Sequence, residues 1–85
     1  MNIIRILILS QQFLLRQGIE HLFSKIEDIE IWGSVKVDDD TLMPDIENSP
    51  PDVTILDIDG PNDNAFTLAR KLKQISPSIG ILMLT

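Results

Sequence analysis

Val53-Thr54-Ile55-Leu56-Asp57 is an apolar run of strand length closed by a carboxylate. It leads into Ile58-Asp59-Gly60-Pro61-Asn62-Asp63, a segment dense in turn formers. A short apolar run bounded by turn signals reads as a buried strand. In open α/β sheets, ligands bind in the crevice outside the carboxyl ends of the strands. Asp57 is therefore the first candidate site residue. Upstream, Ile3 to Leu9 is a second such run, broken only by Arg5, and it ends in Ser10-Gln11-Gln12 with no acid. Near-continuous apolar runs of this kind belong to strands buried on both faces, as in a parallel sheet.

The segments between and beyond these runs read as alternating helices and strands. Leu15, Ile19, Leu22, Phe23 and Ile26 recur at helical spacing and form one apolar stripe. The Ser10 hydroxyl is expected to cap that helix, and Gly18 weakens it slightly. Ile29, Ile31, Val35 and Val37 share one parity, with Trp32 on the other, which predicts a strand bent at Gly33. Asp38-Asp39-Asp40 suits a solvated helix start, and Pro44 cannot sit deep inside a helix. A short helix near residues 41–48 is expected, ended by Ser49-Pro50-Pro51. After Asp57, a cap at Asn62, Asp63 or Asn64 opens a helix whose buried face is Ala65, Leu68, Ala69, Leu72 and Ile75. Arg70, Lys71 and Lys73 complement the dipole at its C-terminal end, and Pro77 closes it. Ile79 to Leu84 reads as a fourth strand, followed by Thr85. Strands alternating with helices over short loops give right-handed crossovers and a parallel sheet.

The bulk properties narrow the function. Eighty-five residues make one small domain, 1–85, and 44% hydrophobic content excludes a disordered chain. There is no cysteine, hence no disulfide framework and no thiolate zinc site; this fits a cytoplasmic setting. No stretch is long enough to span a bilayer. The net charge of −6 is unevenly placed. Residues 27–63 hold twelve of the thirteen acids and one base, Lys36, whereas residues 1–26 carry +2 and residues 64–85 carry +3. Such a field repels phosphate backbones, so direct nucleic-acid binding by this segment is not expected.

These residues together resemble the receiver domain of two-component response regulators, in the branch that carries a LuxR-type helix-turn-helix behind the receiver. Arg5-Ile6-Leu7-Ile8-Leu9 is similar to the family's first strand, and Leu15-Arg16-Gln17-Gly18-Ile19 to the first helix of that branch. Asp28-Ile29-Glu30-Ile31-Trp32-Gly33 resembles the second strand, and Pro51-Asp52-Val53-Thr54-Ile55-Leu56-Asp57 the third. Pro61 matches the proline of the following loop, and Leu68 to Leu72 the third helix. The resemblance implies a flavodoxin-like (CheY-like) α/β/α fold with strand order 2-1-3-4, lacking the fifth strand and the last two helices. It implies Asp57 as the phosphoacceptor position, Thr85 as the switch hydroxyl position and a histidine kinase as a partner.

The departures from the family pattern concern chemistry. Where the family places two acids at the end of the first strand, this sequence has Ser10 and Gln11. The methionine before the loop proline is Gly60, and the glycine opening the third helix is Ala65. The lysine that ends the family's fifth strand has no counterpart in these 85 residues. Mg²⁺ takes oxygen ligands in near-octahedral geometry, usually including one or two carboxylates. Ser10 and Gln11 offer only neutral oxygens, so Mg²⁺ is expected to be held weakly, with Asp57 and Asp59 as the remaining ligands. Asp59 and Asp63 read more simply as turn and cap residues. Asp57-x-Asp59-Gly60 is not an EF-hand loop, because Pro61 and Asn62 stand where that pattern needs an oxygen donor and a glycine. His21 is off the apolar stripe and reads as a surface residue, and Trp32 as packed against a helix. No catalytic Ser-His-Asp set, glycine-rich phosphate loop or zinc spacing occurs, and the chain is not expected to be an enzyme.

The fourth strand, Ile79-Gly80-Ile81-Leu82-Met83-Leu84, carries no charge and would lie at a sheet edge. An apolar edge invites pairing. The sequence thus predicts a degenerate receiver that dimerises through this strand or docks to a protein partner, with inefficient phosphorylation. The alternative is a working phosphoacceptor of a LuxR-type DNA-binding regulator whose output domain is outside these residues.

Overall fold

In the computed structural model, which describes residues 2–36, 42–57 and 64–84, strands and helices alternate as the pattern predicts. The elements are β1 (Ile4–Leu9), α1 (Phe13–Phe23), β2 (Ile29–Val35), α2 (Leu42–Asn48), β3 (Val53–Asp57), α3 (Asn64–Ile75) and β4 (Gly80–Leu84). The four strands form one parallel sheet in the order β2-β1-β3-β4. Among the described residues, β2 and β4 are its edges, and β1 and β3 lie inside it. The interior strands carry the near-continuous apolar runs, as burial on both faces requires. Leu7, Ile8, Leu9 and Leu56 are fully buried.

The sheet separates two apolar layers. On one face Leu7, Leu9 and Leu56 pack with Leu42 and Ile46 of α2 and with Ala69 and Leu72 of α3. On the other, Ile6, Ile8 and Ile55 meet Ile19 and Phe23 of α1. Truncating a buried leucine such as Leu7 in a layer of this kind costs roughly 2–5 kcal/mol. The two faces are unequally covered. Leu82 in β4 is 53% exposed. The α3–β4 side also carries a shallow groove of about 450 Å³, with Ile81, Met83 and Ala69 beside Arg70 and Lys73.

Three details differ from the sequence expectation. Ile29 and Ile31 face α1, but Val35 packs with Trp32 on the opposite face. The β1–β2 register shifts after Ile6↔Ile31, so that Leu7 pairs with Gly33 and Trp32 is the extra residue. A bulge of one residue reverses the facing of everything beyond it. Second, Leu22 and Ile26 of the predicted stripe are exposed: α1 turns Ile19 and Phe23 onto the sheet, and Ile26 lies past its end. Third, Gln12 rather than Ser10 is the N-cap of α1, and it makes no side-chain capping bond. Ser10 is buried instead. Other expectations hold. Pro44 lies in the first turn of α2, where its missing N–H costs nothing. Trp32 packs beside α2 and its Nε1 donates to the Ser49 carbonyl at 2.7 Å. Leu68, Ala69, Leu72 and Ile75 turn inward from α3. Val37, Asn62 and Asp63 lie outside the described residues.

Candidate functional site

The parallel pairing of the inner strands builds the site. Leu9 pairs with Leu56, so the next residue of each strand, Ser10 and Asp57, emerges side by side at the carboxyl end of the sheet. This is the end at which open α/β sheets place their ligands. The Ser10 hydroxyl donates to Asp57 Oδ2 at 2.8 Å. The same hydroxyl oxygen accepts the backbone N–H of Gln12 at 3.0 Å. Ser10 is fully buried, Asp57 half-buried and Gln11 exposed.

The chain around Ser10 is fixed from three sides. Its N–H donates to the Val35 carbonyl of β2 at 3.2 Å. Its own carbonyl accepts Arg16 Nη1 at 2.6 Å. Arg16 reaches back from α1, is only 9% exposed and places its guanidinium 5.7 Å from the Phe13 ring centroid. A guanidinium at that range over an aromatic face gains modest cation–π attraction. The sequence reading gave Arg16 no role of its own. The signal was an arginine one turn into a helix, directly after a strand whose last carbonyls need donors.

The donor set decides what the site can hold. A serine hydroxyl has one proton and two lone pairs. Here the proton goes to Asp57 and one lone pair to Gln12. Asp57 is the single carboxylate of the pair, and among the described residues no cluster of three or more His, Cys, Asp or Glu is assembled. The residues at this strand end therefore do not fit a tightly bound Mg²⁺, which needs carboxylate charge as well as oxygen atoms. Asp59 and Thr85 lie outside the described residues.

A second aspartate shows a contrasting use. Asp52, at the opposite end of β3, accepts the Arg5 N–H through Oδ2 at 2.8 Å and donates its own N–H to the Arg5 carbonyl at 2.8 Å. Its carbonyl accepts the Gly80 N–H at 2.9 Å. Asp52 thus ties β1, β3 and β4 together. Arg5 Nη1 adds a bond to Ser49 Oγ at 3.0 Å. No helix among the described residues is long and apolar enough to cross a membrane.

Comparison with known proteins points in one direction. The chain is 28% identical to the sensory transduction protein LytT of Bacillus cereus over 82 residues, which are 96% of this chain and 33% of that protein. It is 31% identical to the Fimbriae Z protein of Escherichia coli K12 over 81 residues, 94% of this chain and 38% of that protein. The chain thus spans little more than a third of the curated relatives it matches. Among solved structures, the RcsB response regulator of Salmonella typhimurium superposes on all of this chain with a TM-score of 0.80 at 26% identity, over 44% of its own length. The response regulator domain of Thermotoga maritima CheB shares the fold, with a TM-score of 0.73 at 21% identity over 96% of this chain and 61% of that one. No protein-family model matches the chain.

Proposed function

We propose that this chain, which has the CheY-like fold of response-regulator receiver domains, serves two-component signalling as a degenerate receiver, an interaction module whose Asp57 is not efficiently phosphorylated. The observation that carries this reading is the hydrogen bond from the Ser10 hydroxyl to Asp57 Oδ2. Phosphoryl transfer depends on positioning and on charge placed against the moving phosphoryl group. At this strand end a neutral hydroxyl stands where a metal-binding acid would be, and Gln11 beside it is also neutral. The attacking carboxylate therefore lacks a cation partner held by its neighbours.

The output is contact with another chain rather than chemistry on a separate substrate. Exposed Leu82 and the place of β4 at the sheet edge among the described residues support pairing with a second copy or with a protein that adds to the sheet. A histidine kinase is a partner by family, and the setting is cytoplasmic. Nucleic acid is not contacted by this acidic segment. Any DNA-binding output belongs to a domain outside these 85 residues. A second reading, a working phosphoacceptor, is favoured by one observation: Asp57 retains its place at the carboxyl end of β3.

Gel filtration with light scattering, run with and without Mg²⁺ and beryllofluoride, tests the reading. It predicts a mass above that of one chain at micromolar concentration, unchanged by the additions. A stable monomer would contradict the β4 interface, and a beryllofluoride-dependent change in mass would contradict the degenerate site.

A further inference from the structure

We propose that Ser10 is a positioning residue that clamps Asp57 to β1 without a cation, so that the stability of the folded state does not respond to divalent metal. This rests on the receiver reading and deepens it, by stating what holds Asp57 without an ion. Two carboxylates brought side by side at the ends of β1 and β3 would repel, and a divalent cation between them would relieve that repulsion. Ser10 removes the problem at its source. Its hydroxyl gives Asp57 an attractive partner at 2.8 Å, where an acid would give a repulsive one.

The geometry is too constrained to be a passing surface contact. Ser10 is fully buried, so its hydroxyl has no water to fall back on. Its rotamer is fixed from two directions, by the Gln12 N–H at 3.0 Å and by Asp57. Its backbone is held by Val35 on one strand and by Arg16 on α1. The clamp therefore joins three elements, β1, β3 and the start of α1. Hydrogen bonds to an ionised acceptor are stronger than neutral ones, and a buried donor that loses its acceptor costs more than the bond itself.

The test uses thermal melting of the 85-residue chain at fixed concentration, in EDTA and in millimolar Mg²⁺. The unmodified chain is expected to melt at the same temperature in both. Ser10→Asp is expected to melt at least 4–8 °C lower in EDTA, roughly the shift that 1 kcal/mol gives in a domain of this size, and to recover in Mg²⁺. Ser10→Asn, which is neutral and keeps a donor, is expected to ignore Mg²⁺. A purely packing role for Ser10 would not produce that metal dependence. Should Ser10→Asp fail to fold in either buffer, a double-mutant cycle of Ser10→Ala and Asp57→Ala decides. The clamp predicts that the two losses overlap by about 4–8 °C; strictly additive losses would overturn it. A metal-dependent melt of the unmodified chain, or a folded Ser10→Asp indifferent to Mg²⁺, would also overturn it. If Asp57 takes beryllofluoride while the coupling holds, the degenerate reading fails and the clamp stands. If the coupling is absent in a chain that ignores beryllofluoride, the clamp alone fails.

Discussion

Asp52 and Asp57 flank the same strand five residues apart, and their surroundings make them different groups. Asp52 is exposed, yet its side chain and backbone bond to Arg5 in β1 and its carbonyl to Gly80 in β4. Its carboxylate does the work of a backbone acceptor at the amino end of the sheet. Asp57 is half-buried at the carboxyl end, and its partner is a side-chain hydroxyl. A carboxylate on backbone amides is part of the architecture. A carboxylate on a replaceable side chain is a site whose chemistry one substitution can alter. The contrast teaches that composition alone does not mark the functional acid; the donors facing it do.

Among the polar groups of this strand the largest effect is expected at its structural end. Asp52→Ala removes an acceptor from the Arg5 N–H and loosens the β1–β3 join, and should cost about 1–2 kcal/mol. Denaturant unfolding would measure it, and the oligomeric mass should stay unchanged. A loss at Asp52 below a few tenths of a kcal/mol would erase the distinction between the two ends.

Between the two aspartates, Thr54 is fully buried and its hydroxyl has no hydrogen-bond partner among the described residues. An unsatisfied buried hydroxyl is a net cost that an isosteric methyl removes. Thr54→Val should raise stability by up to about 1 kcal/mol, visible as a higher midpoint in urea with an unchanged slope. Destabilisation by that substitution would show that the hydroxyl is satisfied after all.

The fold was largely legible because its signals agree at each level. Two near-continuous apolar runs mark β1 and β3 as inner strands, and Pro44 with Ser49-Pro50-Pro51 brackets α2 closely. The facing of Val35 was not legible, because a bulge at Trp32 is set by pairing with β1 and leaves no trace in the spacing of the apolar residues. Leu22 and Ile26 fit a helical stripe but are exposed, and Ile26 lies past the end of α1. At the site, the sequence showed which residue types meet. The neutral Ser10 and Gln11 followed from their places after the first strand. That the Ser10 hydroxyl donates to Asp57 while accepting from Gln12 at the helix start needed the Leu9↔Leu56 register. The latch at Asp52 and the buried Arg16 likewise depend on contacts between residues far apart in the chain or on opposite sides of a turn.

The most direct test of the central claim is a Mg²⁺ titration followed by the backbone amide shifts of Ser10, Gln12 and Asp57. A carboxylate tied to a neutral hydroxyl should give only small, linear changes up to millimolar metal, spread across the acidic surface. A saturable shift centred on those three amides would contradict the account and return Asp57 to the set of metal-assisted phosphoacceptors.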